Sequence, residues 1–480
     1  MPSPVRWFPD RGELEEVLAL VAAEARRYLA DVDQRPVVSP RVKEAAASFE
    51  GPLPATGDGA AAALRKLLAD GPDAAAATSG PRCFHFVIGG VTPAALAADL
   101  LASVLDQPAY TWISSPLGVQ LELIALGWLK ELFGLPASWS GVFTTGATMA
   151  NFVGLAAARQ WWGERHGIDV SERGLAGLPP VPVLTGGYVH ASAVKCCALL
   201  GIGRRHVRRF ARDPIGRVDL AALEHALDEL GGAPAILIAN AGEVNAGEFD
   251  PIADMADLAE RYGAWLHVDG AFGLFARVSP RTAALAAGVE RAHSVCVDGH
   301  KWLNVPYDCG FAFVRDLALM GKAFAYTAAY LPSPDDPRPT MGAIGPESSR
   351  RSRSLSVWAT LRAYGRDGHR AMVERHLDLA QHLAARVDAA PDLERLADVP
   401  LNIVCFRYNP GGLGDDALDE LNRALGAEIL EDGRVYVGTT LYAGRVAFRP
   451  AIVNWRTGEA DVELLADVVR ELGARLLSSR

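Results

Sequence analysis

Lysine is scarce in this chain: its 480 residues contain six, far fewer than the arginines. With so few amines, the setting of each lysine is informative. Cysteine is equally sparse. Cys83, Cys196, Cys197, Cys296, Cys309 and Cys405 form no CxxC pair and have no His-rich spacing beside them. That argues against a zinc site or a disulfide scaffold. Half the residues are hydrophobic, yet no uncharged apolar run is long enough to span a bilayer. The opening MPSPVRWFPDRGELEE has prolines and acids where a signal peptide would have an apolar core. The expectation is a cytoplasmic protein with no membrane partner. Net positive charge is also missing. The formal charge is −10, whereas nucleic-acid binding wants a basic face. The clusters Arg204-Arg205 and Arg350-Arg351-Arg353 are short. The length suits two or three domains.

Against this background Lys301 stands out, in Asp298-Gly299-His300-Lys301-Trp302. The preceding run, Ser294-Val295-Cys296-Val297, reads as a buried strand. A lysine at the carboxyl end of such a strand sits where open α/β sheets place their ligands. Its apolar neighbours Trp302 and Leu303 suggest partial burial, which favours the neutral amine that attacks an aldehyde. Ala264-Trp265-Leu266-His267-Val268 reads as a second buried strand, ended by Asp269-Gly270-Ala271. Neighbouring parallel strands would bring Asp269 beside Lys301. Pyridoxal 5'-phosphate (PLP) needs that pair: an imine-forming lysine, and a carboxylate that keeps the pyridine nitrogen protonated so the ring can accept electrons. A turn-capping aspartate and a surface lysine are the bland alternative, which two motifs at compatible spacing make a minority reading.

The chain resembles the group II PLP-dependent amino-acid decarboxylases, the family of the aromatic amino-acid and glutamate decarboxylases. The matching segments run from about 80 to 365 in the family's order, with a weaker echo at 400–455. They include PRCFHFVIGG, WISSPLGVQLELIALGWLKELFGLP, FTTGATMANFVGLAAAR, HASAVKCCALLGIG, AGEVNAGEFDPI, HVDGAFG, DGHKWLNVPYDCG and SRRSRSLSVWATLRAYGRDG. The resemblance implies PLP fold type I, an α/β fold with a mostly parallel seven-stranded sheet and a smaller C-terminal α/β domain. It also implies a homodimer with shared active sites.

Gly146, Ala147 and Thr148 open a helix after a short strand. The free N–H groups of that turn, with the Thr148 hydroxyl, can hold a phosphate. The family's phosphate-cup motif falls at the same place. His190 alone would read as a helix cap or core histidine; the resemblance places it against the cofactor ring, near the substrate carboxylate. The same resemblance puts Asp298 and His300 at the phosphate end. A carboxylate repels phosphate, so Asp298 is expected to meet a hydroxyl, a backbone N–H or an arginine. The small Ala271 would let the ring lie flat, opposite His190. Phe86, Tyr110 and Trp112 match aromatic wall positions of family pockets built partly by the dimer partner, with ordinary core as the alternative. Arg449, in an apolar strand, needs an anionic partner, either the substrate carboxylate or an internal acid. Lys195, inside a helix, is the lesser rival to Lys301.

Three parts are expected: a helical N-terminal segment at 1–80, a large PLP-binding domain at 81–365 and a small domain at 366–480. In the first, Leu14, Val17, Leu18, Val21 and Ala25 recur at helical spacing. In the second, strands at 181–185, 206–210, 235–239, 264–268, 294–297 and 309–314 alternate with helices, which implies a mostly parallel sheet covered on both faces. The third suggests strands near 402–408 and 445–449. Where the resembled family has a tyrosine-bearing loop, residues 331–349 contain five prolines and no Tyr, Phe or His; Tyr330 stands at its edge. This loop is expected to be mobile and to act as a lid. The reading is decarboxylation of an L-amino acid, aromatic or bulky and apolar by preference, to an amine and CO2. An aldehyde synthase, aminotransferase or carbon–carbon lyase of the same fold is the alternative. A non-catalytic binding protein is disfavoured because lysine, aspartate and histidine are all present.

Overall fold

The computed structural model describes residues 11–326, 328–329, 331–333 and 336–478. Seven strands form the large sheet: β1 (Ser140–Thr144), β2 (Val183–Thr185), β3 (Val207–Arg209), β4 (Ile236–Asn240), β5 (Trp265–Asp269), β6 (Ser294–Asp298) and β7 (Gly310–Val314). Their spatial order is β1-β7-β6-β5-β4-β2-β3. Only β7 runs against the others, pairing antiparallel with β1 and β6. Every residue of β4, β5 and β6 is buried, because helices cover both faces. The unbroken apolar runs seen in the sequence follow from this. β5 and β6 are parallel neighbours with Asp269 opposite Cys296, so the loops after both strands open on one edge.

A second sheet contains β8 (Leu393–Arg395), β9 (Phe406–Tyr408), β10 (Thr439–Tyr442) and β11 (Arg445–Phe448), in the order β10-β11-β9-β8. The sequence pattern overlooked β8 and β10, and it drew β9 too long. The apolar stretch 401–405 is fully buried but makes only an isolated bridge, Ile403 to Ala451. Burial, not strand pairing, accounts for its composition. The helix Ser354–Ala389 joins the two units and breaks at Gly365, whose φ of 59° and ψ of −171° are non-helical. We propose that the boundary between large and small domains runs through this break. The N-terminal segment forms three helices, Glu13–Asp31, Val42–Ala47 and Ala60–Ala74. The first has no buried residue, and its Leu14, Leu18 and Val21 are exposed.

Of the clustered arginines, Arg350 and Arg353 are internal ties, whereas Arg204, Arg205 and Arg351 are exposed. Arg350 is buried and pairs with buried Glu122 at 2.7 Å. It also donates to the carbonyls of Ala109 and Phe143, while Glu122 accepts the Phe143 N–H at 2.9 Å. This joins the helix Pro116–Phe133 and β1 to the segment entering the long helix. Removing one member of a buried pair strands the other charge. Glu122→Ala should therefore cost roughly 3–5 kcal/mol, read as a fall in the urea unfolding midpoint; a change below about 1 kcal/mol would show the pair to be dispensable.

Candidate active site

The loops after β1, β2, β4, β5 and β6 surround one cleft at the carboxyl edge of the sheet. Its lining includes Gly146, Ala147, Thr148, His190, Asp269, Ala271, Asp298, His300 and Lys301. Asp298 ends β6 and is buried. One of its oxygens accepts the Ala147 backbone N–H and lies 3.4 Å from His300 Nε2; the other forms an ion pair with Lys301 Nζ at 3.0 Å. Lys301 Nζ also stands 5.7 Å from the centre of the Phe272 ring. Burial pulls His300 below its ordinary pKa, and its ring stacks on Tyr307 with centroids 4.2 Å apart.

Asp269 ends β5. Its Oδ2 accepts from Asn151 Nδ2 at 2.9 Å. Its Oδ1 accepts from the Ala271 N–H at 3.2 Å and the Cys296 thiol at 3.3 Å. Burial pushes this carboxyl up, but its hydrogen bonds, that from Asn151 foremost, outweigh it, so its net pKa is below the ordinary value. His190 caps the helix Ala191–Leu199. Its Nδ1 accepts the Ser192 backbone N–H at 3.2 Å and lies 2.6 Å from the Ser192 hydroxyl. That pattern leaves the neutral ring's proton on Nε2. Lys195, on the same helix, is exposed and outside the cleft.

Phe86, Tyr110, Trp112 and Arg449 do not line the cleft of a single chain. Phe86 is exposed at a φ of 57° and lies near His85 and Tyr436. Arg449 is buried, and its Nη1 has no hydrogen-bond partner among the described residues. Burial lowers its pKa and Glu243 opposes the shift. Tyr110 and Trp112 serve the 331–349 segment. Trp112 N–H donates to the Pro339 carbonyl at 3.0 Å, and Gly342 N–H to the Tyr110 carbonyl at 3.2 Å. Thr111 bridges to Thr340, and a Cβ at Gly342 would lie 1.9 Å from the Tyr110 ring. Met341 and Gly342 are buried. The expectation that little burial holds this loop is corrected for 339–345, which is docked by backbone pairing that its composition concealed. Tyr330 lies outside the described residues.

The sequence reading missed several residues. Glu243 and Phe272 line the cleft, while Asn151 and His267 stand behind Asp269. Glu243 is buried, and burial raises its pKa although it accepts the Asn245 and Ala246 N–H groups. Two of these had a signal: Asn151 follows Ala147 by one helical turn, and His267 shares the strand face of Asp269 at a spacing of two.

Comparison with known proteins identifies the family. Residues 68–409 match the model of the pyridoxal-dependent decarboxylase conserved domain. The chain belongs to the pyridoxal-dependent decarboxylase family. It is 32% identical to an aromatic-L-amino-acid decarboxylase of Bacillus atrophaeus over 78% of each chain. To an L-2,4-diaminobutyrate decarboxylase of Rhizobium meliloti it is 33% identical, over 88% of this chain and 84% of that one. Its fold superposes on Oryza sativa TDC, solved with PLP and tryptamine, with a TM-score of 0.90, 24% identity, and 98% and 100% of the two chains covered. This member is a PLP-dependent carboxy-lyase acting on an amino acid.

The residues present fit that cofactor. Gly146 adopts a φ of 146°, and a Cβ there would lie 2.9 Å from His300 and 3.1 Å from Asp298, so its lack of a side chain keeps the turn after β1 open. The helix Ala147–Arg165 starts there and offers first-turn N–H groups to an anion. Borohydride reduction of the PLP-loaded protein should fix the cofactor to Lys301, as read by peptide mass. Lys301→Ala should abolish the adduct; an adduct on Lys195 would contradict the geometry.

Proposed function

We propose that this enzyme decarboxylates an L-amino acid, with an aromatic or bulky apolar side chain favoured, to the amine and CO2. The observation that carries this reading is the convergence of Lys301 and ionised Asp269 in one cleft. Lys301 would hold the cofactor through Nζ, and Asp269 would take its pyridine nitrogen. The turn of Gly146, Ala147 and Thr148, with Asp298 and His300 behind it, would hold the phosphate end. His190 and Ala271 would flank the ring, with the His190 proton on Nε2. When bound, PLP supplies the electron sink that makes loss of the carboxylate feasible. Arg449, although outside the cleft lining of a single chain, is the candidate for the substrate carboxylate, supported by a buried guanidinium whose Nη1 lacks a hydrogen-bond partner among the described residues. The apolar preference is supported by Phe272, Met149 and Val244 in the lining, and by Phe86 and Trp112 as wall residues shared across a dimer.

The experiment is a panel of aromatic, apolar, cationic and acidic L-amino acids, assayed for CO2 and for product identity. Amine with one CO2 per turnover on an aromatic substrate is expected. A keto acid or an aldehyde would instead select the transaminase or aldehyde-synthase reading.

We further propose a cytoplasmic homodimer. Leu14, Leu18 and Val21 are exposed on the first helix, and Leu100, Leu101, Val104 and Ile113 are exposed elsewhere, an apolar area that a second copy would cover. Among the described residues no helix is long and apolar enough to cross a membrane. Sedimentation should give a dimer. A monomer that remains fully active at nanomolar concentration would refute the shared site.

A further inference from the structure

Behind Asp269 runs a chain of buried polar groups that does not line the cleft. Trp265, His267 and Asp269 alternate on β5 and so share one face. The helix Ala147–Arg165 contributes Asn151, and β6 contributes Ser294. Trp265, His267, Asn151 and Ser294 are each at most 1% exposed. Gly154 on the same helix makes room for them: a Cβ there would lie 2.8 Å from the His267 ring and 3.1 Å from Ser294 Oγ.

The hydrogen bonds of this chain have one consistent direction. Trp265 Nε1–H can only donate, and it reaches Ser294 Oγ at 3.0 Å. The Ser294 proton is then directed to His267 Nδ1, 2.8 Å away. A neutral imidazole with an accepting Nδ1 carries its proton on Nε2. That nitrogen lies 2.6 Å from Asn151 Oδ1. With its oxygen engaged, Asn151 turns its amide N–H toward Asp269 Oδ2 at 2.9 Å. Burial holds His267 neutral, down to about 4.

We propose that His267 is a positioning residue whose tautomer, set by Trp265 and Ser294, decides which end of the Asn151 amide faces Asp269. Were the ring to carry its proton on Nδ1, Nε2 would accept, and Asn151 would rotate its oxygen onto the carboxylate. Asp269 would then lose a donor and face a second acceptor. The catalytic meaning rests on Asp269 being the partner of the pyridine nitrogen, as proposed above; the relay itself does not.

The test uses the full-length protein, with and without PLP, labelled with 15N-histidine and 13C-aspartate for NMR. In the wild type His267 should be a single Nε2–H tautomer, and Asp269 should stay ionised throughout pH 5–8. Ser294→Ala should release the tautomer and raise the Asp269 titration by about one pH unit, and Ser294→Thr should restore both. Asn151→Leu should raise Asp269 similarly. An unchanged tautomer in Ser294→Ala, or an Asp269 titration that is the same in Asn151→Leu and wild type, overturns the proposal. Because these signals are read without cofactor, a wrong assignment of Asp269 to the pyridine nitrogen would leave them as expected and appear only in the PLP-loaded spectra.

Discussion

One buried carboxylate, Asp298, holds the two halves of the cleft together. It accepts the first backbone N–H of the helix Ala147–Arg165 and forms the ion pair with Lys301. The helix start and the lysine turn are far apart in sequence, and neither fixes the other locally. A carboxylate at a sheet edge can serve both because it accepts at two oxygens. Its partners in the chain are thus a protein amide and the Lys301 amine, in line with the expectation that this acid meets a protein donor.

The lysine turn is further immobilised from both domains. Trp302 Nε1 donates to His376 Nδ1 at 2.8 Å, and His376 Nε2 lies 2.9 Å from the Asn454 carbonyl. Burial keeps His376 neutral, lowering its pKa to about 3, which suits this one-donor, one-acceptor role. Asn304, at a φ of 57°, donates to the carbonyls of Trp302 and Val453, and accepts the Trp455 N–H. A Cβ at Gly89 would lie 1.7 Å from the Lys301 carbonyl oxygen, so the chain passes as close to the turn as a backbone can. A preorganised lysine loses little freedom on reaction, which is where such packing helps catalysis.

The small domain reaches the cleft through the turn 243–248. Thr440 donates to Asn245 at 2.7 Å. Glu248 accepts from Tyr188 and two nitrogens of Arg217, and at 3.4 Å from Tyr442. Glu243 lies on that turn, and its charge bears on Arg449. The cleft is therefore bounded by groups whose spacing depends on how the two domains pack, although its floor belongs to the large sheet alone.

The sequence by itself determined the sheet and the residues on its edge. Apolar runs ending in Asp269 and Asp298 had to be buried parallel strands, and their ends had to meet where Lys301 stands. Gly146 before a helix marked the turn after β1 that lines the cleft. These signals are local: strand periodicity, a helix start, and a charged residue directly after an apolar run. The tertiary structure alone decided what orients those residues. Asn151 reaches Asp269, His376 reaches Trp302, and Tyr110 and Thr111 pin the segment 339–345, each across a long stretch of chain. A hydrogen bond between distant residues leaves no period in the sequence, and a proline-rich segment looks the same whether free or docked. Only packing showed that Phe86 and Trp112 stand outside the cleft of one chain, because an aromatic residue in a wall and one in a core have the same composition.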